Sequence, residues 1–528
     1  MKKNIRLIII LTAAVAVLAV GLIFVLNIPQ TEDENSVSKL GEDAILIYDK
    51  SDLDAEDISV SNSGGDYRLV GFRTNYGASS AVQESSGDES SENLRSDAEA
   101  KKSRGYLTYT MQEHGDSKLS KNMTDQLAHQ CASLTALRTV DKSGKKLSEY
   151  GLDKPVSTVK IIFSDGSEKT IMMGNEAPDN QGYYGMTSDS NTVYLMQSET
   201  VNMFFVEKLQ MFDKTISREY DSDNTDIVIT SLSITGTSFK EPVEIDNRDD
   251  ISIDAAYIMR KPNHEVCAKS MVQKVGESLY GITGNSVAAV DVNDDVKKEF
   301  GLEKPYLDIS TKASDGTSVH ILASKADEDG NCCVMKNGGS VICRVKSKDI
   351  EKWYGIKYED LLAGAVIIPD IDNMTSMRIS YNGQDELYDI VREAKQNELL
   401  EDVVYTEVKN DGKKISYNNF HVFVNNLASM TRKSMDVDKL DGFDKKASFE
   451  LSYSKNDEKL TDRLAVYKNN SREYVLVLND VIECRTDSDY AEKLLAQISK
   501  ISGKEELENI ETDTSDEQTS QEDSKKSE

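Results

Sequence analysis

The sequence predicts an α+β protein: an N-terminal transmembrane helix followed by three tandem repeats, each an antiparallel β-sheet with packed helices. Three observations predict it. Residues 7–26 are apolar almost without interruption. A motif and its flanks recur at a fixed offset of 150 residues. Within each copy the hydrophobic period changes from helical to alternating.

The apolar run reads LIIILTAAVAVLAVGLIFVL, broken by Thr12 and Gly21. At about 1.5 Å per residue it matches a hydrocarbon core of roughly 30 Å. Lys2, Lys3 and Arg6 precede it, and Glu32, Asp33 and Glu34 follow. That asymmetry predicts a single-pass protein of the cell membrane, with its N-terminus cytoplasmic and its C-terminal bulk extracytoplasmic. A cleaved signal peptide has an apolar region of about 7–15 residues and a small-residue cleavage site. Here the run is longer and exits through Asn27-Ile28-Pro29-Gln30. Residues 1–30 therefore read as a cytoplasmic stub and an uncleaved anchor, with membrane lipid as the partner of residues 7–26.

Composition narrows the classes. The 528 residues suffice for several domains, and 38% apolar with 29% charged residues excludes a polytopic membrane protein. A net charge of −30 repels phosphate backbones, so nucleic acid is not an expected partner. Six cysteines are too few for a disulfide scaffold. Residues 77–100 and 502–528 carry net charges of −5 and −7 and few large apolar side chains. Such segments bury too little surface to offset the entropy of ordering, so a disordered acidic insertion and a disordered acidic tail are expected.

The repeat supplies the architecture. Tyr150-Gly151-Leu152-Asp153-Lys154-Pro155 recurs as Phe300-Gly301-Leu302-Glu303-Lys304-Pro305, and Ser-Asp-Gly at 164–166 recurs at 314–316. A weaker copy begins at Gly442-Phe443-Asp444-Lys445, without the proline. Before the motifs, Leu127, Cys131 and Leu134, then Val275, Leu279 and Ile282, then Phe420, Phe423, Val424, Leu427 and Met430 lie at helical spacing. After them Val159, Ile161 and Phe163 alternate with polar residues, as do Leu307, Ile309 and Thr311, and Phe449, Leu451 and Tyr453. Asp165-Gly166 and Asp315-Gly316 suit two-residue hairpin turns. Each copy opens with a hairpin, as at 57–70, and closes with a helical segment, such as 199–211 or 488–499. The modules span 42–218, 224–364 and 371–501.

On these residues the chain resembles a known family. Gly-Leu-Asp-Lys-Pro, an alternating strand, Asp-Gly, a strand ending in Met172-Met173-Gly174, then Gly182-Tyr183-Tyr184 and Val193-Tyr194-Leu195, is similar to the domain of unknown function 4340. The resemblance is good over 40–215, weaker over 226–363, and reduced to pattern over 373–500. It implies one membrane helix, extracytoplasmic repeats, and an auxiliary component of gliding-motility-type ABC transport systems, with permease and ATPase subunits as partners. The family has no established catalytic residues, so none carries over.

The residues themselves point to no active site. His114, His129, His264, His320 and His421 are scattered. Ser143 and Lys146 fit S-x-x-K but stand in a polar connector without companion motifs. Asp291, Asn293 and Asp295 imitate the start of a calcium loop, which then fails at Val296 and Leu302. Cys332, Cys333 and Cys343 lack zinc spacing. Cys332 and Cys343 would lie diagonally across a turn at Gly338-Gly339, so core thiols are expected, with Cys484 in the matching strand of the third copy. Tyr183 and Tyr184 form a pair that core packing explains, and the remaining tyrosines and Trp353 suit strands and core. No catalytic, cofactor-binding or metal-binding residue is assigned. The expected function is a non-enzymatic auxiliary or scaffold subunit; the alternative is a cell-surface binding module for an envelope polymer, a protein or a small ligand.

Overall fold

The computed structural model describes residues 44–74, 106–219, 228–396 and 402–511. These are mainly β, which corrects the α+β expectation: among the described residues four antiparallel sheets carry the chain and the helices are few and short. The longest helices, Lys121–Ala132 and Tyr417–Ala428, have 12 residues each. Among the described residues no helix is long and apolar enough to cross a membrane. The apolar run at 7–26 and the acidic insertion at 77–100 lie outside the described residues.

The chain divides into two compact units. The first comprises residues up to Glu113 with Leu119–Met211; the second comprises His114–Lys118 with everything from Phe212 onward. The main sheet of the first unit has the order Tyr106–Met111, Gly65–Thr74, Ala55–Asn62, Ser157–Phe163, Glu168–Glu176, Tyr183–Thr187, Val193–Met196, Arg138–Asp141. Strict alternation explains the central strand: Val159, Ile161 and Phe163 are buried and their neighbours are not. Each such side chain contributes roughly 1.5–3 kcal/mol by leaving water. Helix Lys121–Ala132 is N-capped by Ser120, whose Oγ accepts from the Met123 amide, and it buries Leu127, Ala128 and Cys131.

The second unit holds a nine-stranded and an eight-stranded sheet. Their strands follow the order of the first, except that the third sheet has no counterpart to the edge strands Arg138–Asp141 and Ser286–Val290. In each, the opening hairpin lays its first strand against the strand that follows the motif, pairing Val60 with Val159, Ile234 with Ile309, and Ile379 with Phe449. Apolar partners face each other across the ladder, which is the register alternation demands.

Three local readings differ from expectation. The Asp-Gly turns are three-residue loops: Phe163 N–H donates to Ser167 O and Ala313 N–H to Thr317 O. Gly166 and Gly316 adopt φ of +77° and +86°, and each Asp carboxylate accepts the amide two residues on. The segment 199–211 breaks into Ser198–Val201, Asn202–Phe205 and Lys208–Met211, because Ser157 Oγ takes Phe204 O and Asn62 Nδ2 takes Val206 O. Those carbonyls are lost to a continuous helix. Residues 502–511, placed by composition in the acidic tail, pack on the third core. Leu507 is buried there, Asn419 Nδ2 donates to Glu505 O, and Asn426 Nδ2 donates to Glu508 O.

The passage between the second and third sheets is stitched by backbone. Leu362 bridges Cys267 beyond the edge strand Glu265–Val266, Pro369 bridges Ile253, Thr431 bridges Ala365, and Arg485 bridges Ser434. Ladder-type bonds thus run from the edge of the second sheet to Val481–Thr486, the last strand of the third. An otherwise open sheet edge is covered.

Candidate functional site

The recurrent motif is a cap. Gly151, at φ +69°, ends the turn Leu147–Tyr150, and Leu152 N–H donates back to Leu147 O at 2.9 Å. Gly301, at φ +71°, ends Asp294–Glu299 likewise, with Leu302 N–H on Lys297 O at 2.7 Å. Leu152 and Leu302 then insert into small clusters, with Met186 and Val193 and with Met335 and Ile342 respectively. The motif therefore terminates a helical turn and feeds the next strand into its sheet.

The other residues singled out from the sequence are held apart. Ser143 Oγ donates to Asp141, whereas Lys146 pairs with Glu149. Asp291 sits at φ +54° beside His114 and Ser117, and Asn293 N-caps the following helix through the Val296 amide at 2.9 Å. Tyr183 packs on Phe205 and Tyr184 on Tyr150, with ring centroids 4.5 and 5.0 Å apart. His320 contacts Asp308 and Asn337, His264 contacts Asp250, and His421 lies one helical turn from Asn425. Among the described residues no group of three or more His, Cys, Asp or Glu side chains is arranged to hold a metal.

All six cysteines are reduced and buried. Cys332 Sγ donates to Val345 O and Cys343 Sγ to Lys214 O, and Val334 rather than Cys332 faces Cys343. Burial pushes the thiols of Cys267, Cys332, Cys343 and Cys484 up to about 12. The folded chain should therefore resist a charged thiol reagent at neutral pH, and six thiols should titrate on unfolding. Labelling read by mass spectrometry checks this, and a thiol that reacts in the folded chain at the rate of a free cysteine contradicts it.

Sequence reasoning missed the most concentrated chemistry, which lies in the seam between the second and third sheets. Arg432 directs Nη2 at Glu265 Oε2, 2.7 Å away, and at Glu483 Oε2, 3.4 Å away. Its Nη1 donates to the carbonyls of Ala363 and Ala365 at 2.8 and 2.5 Å. Tyr358 donates its hydroxyl to Glu265 Oε1, and Asn263 Nδ2 reaches the same oxygen at 3.3 Å. The side chains of Arg432, Glu265 and Glu483 are 7%, 1% and 3% exposed. Burial, then the neighbouring Glu265 carboxylate, push the Glu483 carboxyl up to about 8 against the opposing pull of Arg432.

A second cluster stands beside it. Asp250 accepts from the amides of Ser252 and Ile253 and from His264 and Arg260, and Arg260 also holds Asp246. Burial pushes the Asp250 carboxyl up, but the His264 and Ser252 hydrogen bonds outweigh it and hold the group well below the ordinary carboxylate range. The first cluster is buried, whereas Arg260 and His264 of the second are 23% and 28% exposed. An open groove of about 720 Å³ between Lys269–Glu277 and Glu351–Tyr354 carries Lys274, Glu277, Asp349 and Lys352 on its walls.

The repeat held a clue to the seam. Lys433 N–H donates to Arg485 O as Asn285 N–H donates to Arg344 O, which places Glu483 at the register position of buried Ile342. A carboxylate at an inward strand position needs a buried partner.

Residues 110–264 match the family model described as Domain of unknown function (DUF4340). No curated protein and no solved structure matches the chain.

Proposed function

We propose that this chain is a membrane-anchored extracytoplasmic protein without enzymatic activity, an auxiliary or scaffold subunit of an ABC-type transport system. Residues 7–26 would hold it to the lipid, and the sheets would present surfaces to permease or ATPase subunits. The observation that carries the reading is where its charged chemistry lies. Arg432, Glu265 and Glu483 are buried in the seam between the second and third sheets, where Arg432 also holds the backbone of the passage that joins them. The match over 110–264 supports the family resemblance, and the transport role is what that resemblance implies.

The test is crosslinking followed by mass spectrometry in native membranes. Recovery of an ABC permease or ATPase supports the proposal. Recovery of an envelope polymer or an unrelated surface protein alone overturns it in favour of a surface-binding module. A small ligand protecting Lys274 or Lys352 from acylation would favour a binding function for the groove that these residues line.

A further inference from the structure

Charge counting at the seam leaves a remainder. Two carboxylates and one guanidinium, all ionised, leave one negative charge uncompensated in a place that water does not reach. The two carboxylates are not equivalent. Glu265 has the shorter contact to Arg432, the Tyr358 hydroxyl and the Asn263 amide. Glu483 has the longer contact, to the same Nη2 of Arg432, so the two carboxylates face one guanidinium nitrogen. A proton on Glu483 removes the excess charge.

We propose that Glu265, Glu483 and Arg432 form a one-proton latch, which keeps the second and third sheets joined while the carboxyl pair holds one proton and loosens the seam when that proton leaves. The segment it closes is defined. Arg432 donates to Ala363 and Ala365 in the passage between the sheets, and the amides of Ala363, Arg432 and Arg485 complete the stitching to Val266, Gly364 and Ser434.

The groups around the pair do not compete for the proton. Arg432 stays cationic. The thiols of Cys267 and Cys484 are pushed up to about 12 by burial, and burial likewise pushes the Tyr358 hydroxyl up, so these three remain neutral. Arg260, which acts on Cys267 from farther off, is engaged by Asp246 and Asp250. The sign follows from a raised carboxyl. Its stabilisation is complete below the ordinary 4.5 and is lost as pH rises through about 8.

The same unit contains its own control. Where residues 214–217 pair with 282–284, Gly284 N–H donates to Lys214 O as Arg432 N–H donates to Gly364 O. Gly284 and Ile342 occupy the positions of Arg432 and Glu483, so that pairing has no proton to lose.

Hydrogen exchange on the full chain in mild detergent, from pH 5.5 to 9 and corrected for intrinsic exchange rates, tests the latch. Opening at Ala363, Arg432 and Arg485 should rise about tenfold per pH unit up to about pH 7.5 and level off above 8. Ile216 and Gly284 should show no such slope. Glu483→Gln, which cannot ionise, should abolish the slope. A flat wild-type profile, or a slope that survives in Glu483→Gln, would overturn the proposal. Should that variant fail to fold, Glu265→Gln, which leaves one carboxylate for one guanidinium, must also give a flat profile, and the wild-type curve against its internal control decides alone.

Discussion

Arg432→Met is expected to destabilise the second compact unit by about 3–5 kcal/mol and to leave the first unchanged. The methionine fills much of the volume but strands Glu265 and Glu483 against each other. It also leaves the carbonyls of Ala363 and Ala365 without their donor. Breaking a buried pair from one side is costly because the remaining charge has no water to return to. Replacing all three groups together, with Glu265→Leu and Glu483→Leu added, should recover most of the loss, since the seam then becomes an apolar contact. Denaturant unfolding, followed by exchange at amides of each unit, separates the two transitions. A loss below about 1 kcal/mol would mean that the pair is hydrated and contributes like an exposed one.

Gly182→Ala should cost the first unit about 2–6 kcal/mol. Gly182 adopts φ +135°, and a Cβ there would stand 1.9 Å from Met196 O. That carbonyl belongs to Val193–Met196, which pairs with Tyr183–Thr187, so neither side has room to withdraw without tearing the ladder. Gly182 O also accepts from Ala177 N–H at 2.7 Å, which ties the strained residue to both ends of its loop. Gly166→Ala is the matched control. It too has positive φ, +77°, but a Cβ would meet nothing within 4 Å. Its cost should be the conformational part alone, about 1–2 kcal/mol. Thermal unfolding of the two variants should therefore separate crowding from backbone strain, and equal losses would refute the steric account.

Which parts were legible follows from the range of the interactions. The inward faces of Ser157–Phe163 and Leu307–Ala313 could be read directly, because a period of two is a property of the strand itself. Phe420, Phe423, Val424 and Leu427 likewise marked the buried face of Tyr417–Ala428. The second helix was misjudged in length: it ends at Glu277, and Leu279 and Ile282 are buried from the turns beyond it. Apolar spacing reports burial but does not distinguish a helix from a compact loop that buries the same residues. The α+β expectation erred for this reason, counting as helices segments that side chains such as Asn62 and Ser157 hold as short turns.

Sequence alone determined the inward faces of the strands that follow the motifs, the positive-φ glycines Gly166 and Gly316 of their turns, and the buried state of Cys332, Cys333, Cys343 and Cys484. All of these are set by residues within a few positions of one another, where alternation, positive φ and apolar character act without help. Only the tertiary structure decided the seam, the retention of residues 502–511 on the third core, and the fate of each charged side chain. Glu265 and Arg432 are 167 residues apart, and nothing near either one distinguishes it from a solvated surface charge. Their partnership exists because two sheet edges and the passage between them close over the same few ångströms, and exclusion of water from that space turns ordinary surface residues into a charged core.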